Sequence, residues 1–246
     1  MDHMVYIAAS GANDAMLAQA VNANNLANAS TAGFRADLIS ARSAYMTGSQ
    51  LESRTYATSA NTGIEFKPGV INATGRELDV AINGSGWLAV QGDDGSEGLS
   101  RRGDLRVTEL GQLVDGAGRS VMGNSGPIAI PPFSEIAIAG DGTVSIVPLG
   151  EDPNTLSAVD RIKLVNPDTA RIEKAPDGMV RMMEGEETQA DAQVTLLAGS
   201  LESSNVDTVG AMVFMIELAR QFEQHTKMMN VAQQLDAASA ELMKMS

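Results

Sequence analysis

The sequence of 246 residues contains no cysteine. That absence excludes disulfide bridges, thiol nucleophiles and thiolate metal centres together, and it leaves the chain indifferent to the redox state of its surroundings. Aromatic residues are scarce, at 4% of the chain with a single tryptophan, Trp87, which weighs against a carbohydrate-binding module built on an aromatic platform. Basic residues are few: 17 against 31 acidic ones, a net charge of −14. A surface of that sign repels phosphate backbones, so nucleic acid is excluded as an expected partner. The only two histidines, His3 and His225, are too far apart in sequence to form a local metal motif, and no cofactor or metal is expected. No apolar run approaches the roughly 18 residues a spanning helix needs, so the chain is not expected to cross a membrane. The N-terminus lacks a positive region, and Asn13 and Asp14 interrupt its apolar stretch, so no cleaved export signal is expected.

What the chain does have is arranged in three parts. In residues 4 to about 28, Val5, Ala9, Ala12, Met16, Ala20, Ala23 and Ala27 recur at spacings of three and four, predicting an amphipathic helix. Gly33 follows as a stop or turn. Residues 34–65 form a connector in which Arg35 to Met46 has moderate helical character and Thr47 to Asn61 is polar, rich in serine and threonine, and extended or mobile. From about residue 66 to 200 the pattern changes. Short β-rich runs (Leu78–Ile82, Trp87–Gln91, Leu105–Val107, Gln112–Val114, Ile128–Ile130, Ile136–Ile138, Val144–Val147, Arg161–Val165 and Val194–Leu197) alternate with turn signals such as Gly92-Asp93-Asp94-Gly95 and Gly140-Asp141-Gly142. That spacing predicts an all-β domain.

Residues 207–245 read as one long helix, with Asp207 or Thr208 able to cap its start. Met228, Val231, Leu235, Ala238, Leu242 and Met245 form a heptad seam. Met215, Leu218, Phe222 and Met229 form a similar stripe earlier, with a phase shift between the two. Apolar stripes this narrow seek a partner helix. The partner is either the other terminal helix, giving an intramolecular stalk, or a neighbouring molecule.

Enzyme signatures are weak. Gly84-Ser85-Gly86-Trp87-Leu88-Ala89 matches the dinucleotide pattern G-x-G-x-x-A, but that pattern works only when a helix follows, and Trp87 to Gln91 reads as a strand. No catalytic constellation is visible. A β-domain enzyme and a monomeric β-rich binding module are the alternatives to an assembly subunit.

The stretch Asn24-Asn25-Leu26-Ala27-Asn28-Ala29-Ser30-Thr31-Ala32-Gly33-Phe34-Arg35 resembles the N-terminal signature of the bacterial flagellar rod and hook proteins, of the form A-N-N-L-A-N-x-x-T-x-G-F-[KR]. Leu201-Glu202-Ser203-Ser204-Asn205-Val206-Asp207, with Met215-Ile216, Arg220, Phe222-Glu223 and Lys227, is similar to that family's other end. Leu78 to Ile82, Gly86-Trp87 and Arg101-Arg102-Gly103-Asp104 fit its middle. Ser203-Ser204 departs mildly, standing where a glycine or threonine commonly precedes the serine. Within the family, the opening Met-Asp-His, the short length and Gly86-Trp87-Leu88-Ala89-Val90 are most similar to proximal-rod members, with distal-rod members next.

The resemblance implies a non-enzymatic subunit of the basal-body rod, the drive shaft for motility that crosses the periplasm. It implies partners among other copies of the chain, other rod proteins and the flagellar type III export apparatus. The expected fold is α+β: terminal helices in residues 1–33 and 201–246 pairing in coiled-coil fashion, with a β-rich domain in residues 66–200 inserted between them. The expected assembly contacts are Asn24, Asn25, Leu26, Asn28, Gly33, Phe34, Asn205, Phe222, Met228, Val231, Leu235 and Leu242. In the signature itself the asparagines suit capping and side chain-to-backbone bonding, and Leu26 and Phe34 suit apolar anchoring on either side of the Gly33 turn.

Overall fold

A computed structural model describes the backbone of residues 2–45, 55–152, 155–175, 179–183 and 188–244, and the side chains of that set apart from residues 2–3, 39–62 and 241–244. In chain order the elements are α1 (Asp2–Ala27), β1 (Asp37–Tyr45), β2 (Thr55–Ile64), β3 (Ile71–Ala73), β4 (Val80–Asn83), β5 (Trp87–Gln91), β6 (Glu97–Ser100), β7 (Arg106–Val107) and β8 (Leu113–Val114). They continue with β9 (Phe133–Ile138), β10 (Thr143–Pro148), β11 (Ser157–Arg161), β12 (Leu164–Val165), a 3-10 turn at Thr169–Arg171, β13 (Ile172–Lys174), β14 (Val180–Met182), β15 (Thr195–Ala198), β16 (Ser200–Glu202) and α2 (Thr208–Lys244). The class is α+β, and the chain forms two compact units.

The helical unit comprises Met1–Asn28, Asp37–Glu65 and Val206–Ser246. Its two helices pack on each other. Asp207 caps α2, accepting the Val209 N–H at 3.1 Å on its carboxylate. On α1 the covered positions are Val5, Ala8, Ala12, Ala15, Gln19, Asn22 and Leu26; on α2 they are Ala211, Met215, Leu218, Phe222, His225, Met229 and Ala232. Both series alternate spacings of three and four. Gly11 faces His225, so closely that a β-carbon there would lie 2.3 Å from the imidazole. The Asn22 side chain donates to the Ala211 carbonyl at 2.7 Å. As α1 numbering rises, the matching α2 numbering falls, so the helices run antiparallel.

Three expectations are corrected here. The α1 face that packs is not the predicted one. Of that stripe only Val5 and Ala12 are covered, while Ala9, Met16, Ala20, Ala23 and Ala27 are exposed. Alanines lie on several sides of this helix, so their periodicity does not fix its phase, and Asn22 belongs to the buried side because its amide has a partner there. On α2 there is no phase shift: the early stripe continues unbroken to Ala232, and the later stripe is a separate face. Finally, Arg35 to Met46 is not helical where it is described. β1 pairs antiparallel with β2, with a register shift between Leu38 and Ser40, and strand pairing overrides a weak local helical preference.

The β unit comprises Ala29–Ala36 and Phe66–Asn205. A five-stranded sheet in the order β12-β5-β6-β14-β13 and a three-stranded sheet in the order β11-β10-β9 are accompanied by the pairs β15-β4, β16-β3 and β7-β8. Nearly every β-rich run becomes a strand; Ile128 and Ile130 instead flank an isolated bridge, Gln112 to Ala129. The core is aliphatic, formed by Val80, Ile82, Leu88, Leu105, Leu113, Val121, Ile128, Ile146, Ile162 and Leu164 among others. β4 and β5 do not pair with each other, so the Asn83–Gly86 link is a crossover between sheets, not a hairpin. Because strand β5 follows Gly86, the glycine pattern is a turn with no helix N-terminus to hold a phosphate.

Candidate assembly interface

The asparagine-rich signature is a series of side chain-to-backbone bonds. α1 closes with the Asn28 N–H shared between the carbonyls of Asn24 and Asn25, both at 3.1 Å. The Asn28 amide also donates to the Asn24 carbonyl at 3.0 Å. The Asn25 side chain binds the backbone of Asp37 on both sides, donating to its carbonyl at 2.9 Å and accepting its N–H at 2.8 Å. It thus plays the part of a neighbouring strand residue at the start of β1. Asn24 is exposed and Leu26 is half-buried.

In the β unit, Gly33 has φ +65. Its N–H donates to the Glu202 carbonyl at 2.8 Å, and a β-carbon at this position would lie 2.1 Å from the Arg101 carbonyl oxygen. Both the conformation and the close approach require glycine. Phe34 is half-buried, with the Lys174 ammonium 5.1 Å from its ring centre. Asn205 ties the same segment from the other side. Its carbonyl oxygen accepts the Ala36 N–H at 2.8 Å, its amide donates to Lys67 at 2.9 Å, and its own N–H donates to Phe34 at 3.3 Å.

Sequence reasoning missed the group at the centre of this arrangement. The Glu202 carboxylate is 2% exposed. It accepts from Arg35 at 2.8 Å, Arg101 at 2.9 Å and the Gly69 N–H at 2.9 Å. Arg35 also donates to the Lys67 carbonyl, and Arg101 donates to the Gly84 carbonyl at 2.6 Å while lying 5.7 Å from the Trp87 ring centre. Two buried guanidiniums thus share one buried carboxylate. The available signal was the placement of Arg35 and Glu202 inside the two signature strings, where solvated charges have no reason to recur.

The α2 residues divide by face. Phe222 is half-buried in the α1–α2 seam. Met228, Val231 and Leu235 are 36%, 47% and 49% exposed. They lie about a third of a turn around the helix from the seam, at about 100° per residue. The α2 backbone includes Leu242, whose side chain lies outside the described set. Near the start of α2, Val209, Met212, Val213 and Ile216 are also exposed, as are Tyr6, Ile7 and Met16 on α1. The helical unit therefore has an internal seam and, beside it, solvent-facing apolar surface. Among the described residues no cluster of three metal-ligating side chains occurs and no helix is long and apolar enough to cross a membrane.

Residues 5–35 match the family described as "Flagella basal body rod protein", residues 81–146 the "Flagellar hook protein FlgE/F/G D1 domain", and residues 197–242 the "Flagellar basal body rod FlgEFG protein C-terminal". The flagellar basal-body rod protein FlgF of Salmonella typhimurium is 40% identical over 252 aligned residues that span all of both chains. The FlgF of Escherichia coli is 41% identical with the same coverage. The basal-body rod protein FlgG of Buchnera aphidicola is 29% identical over 94% of this chain and 96% of its own. Three matched segments in family order and full-length identity of this size show that the chain belongs to the FlgF-like flagellar basal-body rod proteins.

Proposed function

We propose that the chain is a non-catalytic structural subunit of the flagellar basal-body rod, and that it joins the rod through the apolar faces its two terminal helices leave uncovered. The observation that carries this reading is the second stripe on α2, where Val231 and Leu235 stay about half exposed beside a seam that already satisfies α1. Full burial of a leucine or valine contributes about 1.5–3 kcal/mol, so a monomer with this stripe in water forgoes energy that a neighbouring subunit supplies. The helices pair in coiled-coil fashion within each subunit, and neighbouring copies and other rod proteins cover the outer faces. Similarity to FlgF over FlgG favours the proximal part of the rod. The rod crosses the periplasm, and its subunits leave the cytoplasm through the flagellar type III export apparatus. Asn24, exposed at the end of α1 that lies beside the start of α2, belongs to a separate contact surface at that end of the helix pair. The test is to express Val231→Glu/Leu235→Glu in a strain lacking the wild-type chain and to image its basal bodies. The expected result is export of the variant and loss of the proximal rod segment; normal rods overturn the reading.

A further inference from the structure

A second apolar surface lies on the β unit. β7 and β8 are joined by a tight turn in which Leu110 is 88% exposed. Beside it runs a groove of about 390 Å³ lined by Val107, Ile130, Pro131, Pro132 and Phe133 along with Leu110 itself. The patch continues to the end of β10, where the Leu149 N–H donates to the Pro132 carbonyl at 3.4 Å and the Leu149 side chain is 71% exposed. A leucine at a hairpin tip contributes nothing to its own core, and solvent-facing apolar patches with a polar rim mark protein contacts.

The rim identifies the partner. Glu109 lines the groove, Glu135 follows Phe133 on β9, and Glu151 and Asp152 follow Leu149; all four are exposed. Between Val107 and Asp160 the sequence has one basic residue, Arg119, and it is held by Asp115 at 2.7 Å. Arg106, on β7, reaches toward Gly118, at the end of the hairpin away from Leu110. Two copies meeting through this patch would therefore set carboxylates against carboxylates with no cation between them, which like-charge repulsion disfavours.

We propose that the Leu110 patch docks a different protein, one that presents an apolar side chain ringed by lysine or arginine. The proposal rests on the reading of the chain as an assembly subunit. It is tested in the full chain, in assembled basal bodies, by placing the photoreactive residue p-benzoylphenylalanine at Leu110 and sequencing the cross-linked peptides by mass spectrometry. The expected product is an adduct to another protein at an apolar residue with basic neighbours. Its yield falls at least tenfold in the charge-reversed background Glu109→Lys/Glu135→Lys/Glu151→Lys, whose melting temperature is expected to match the parent because all three sites are solvated. An adduct to any surface of a second copy, no adduct, or an unchanged yield after charge reversal overturns the proposal. The same probe at Leu235 separates the two claims: an adduct there with none at Leu110 sinks the patch alone, and none at either site sinks the assembly reading as well.

Discussion

At the scale of single residues, the fold depends on groups that composition makes look ordinary. Gly33→Ala would combine positive φ with a β-carbon 2.1 Å from a backbone oxygen, and strain plus overpacking predict a loss of about 2–6 kcal/mol, measured by chemical denaturation. Glu202→Gln keeps the shape but removes the negative charge that Arg35 and Arg101 share. Breaking a buried ion pair in this way costs about 3–5 kcal/mol, and an outcome below about 1 kcal/mol would deny this group its central place. Asp94 gives a pH prediction. The Ser96 hydroxyl and N–H, and then Arg181, hold its carboxyl down to about 2. A depressed carboxylate supports the fold above its unfolded value and stops doing so as pH falls through its folded value, so the contact of Asp94 with Arg181 is expected to persist through mild acid and open near pH 2. A carbon-detected NMR titration reads this directly, and Ser96→Ala should move the midpoint upward.

At the scale of elements, the two faces of α2 predict opposite responses. Leu218 is 3% exposed in the seam, so Leu218→Ala is expected to destabilise the helical unit by about 2–5 kcal/mol. Leu235→Ala, on a solvated face, should stay within about 0.5 kcal/mol. Helical circular dichroism during urea unfolding of the isolated chain distinguishes them. The same elements show what the sequence could reveal. Trp87–Gln91 and the Gly140–Gly142 turn were legible because a short apolar run bounded by glycine turns is a local signal, and Asp207 announced its cap. The phase of α1 was not legible, since a helix rich in alanine offers several equivalent faces and only the partner selects one. The late α2 stripe was visible as a pattern, but whether α1 covered it depended on where the seam ran, which small Ala232 and polar His225 decide. The Arg101–Glu202 pair joins positions 101 residues apart, beyond the reach of any local rule, and charged side chains read by default as solvated.

At the scale of the whole molecule, the chain buries what it can by itself and leaves two kinds of surface incomplete. One is the apolar side of its terminal helices. The other is the acid-rimmed leucine patch of its β unit. A net charge of −14 keeps separate copies apart in solution, so apolar contact has to overcome repulsion, and association is expected to strengthen as salt screens it. Sedimentation of the purified chain across a salt series checks this; association that weakens with added salt would show that attraction between charges, not apolar burial, drives it. The central claim, that other subunits cover the outer stripe of α2, is tested most directly by hydroxyl-radical footprinting of Met228, Val231 and Leu235 in the free chain and in isolated basal bodies. The account predicts ready oxidation of all three in the free chain and at least fivefold protection in the rod, with buried Leu218 protected in both; equal labelling of the three in both states would contradict it.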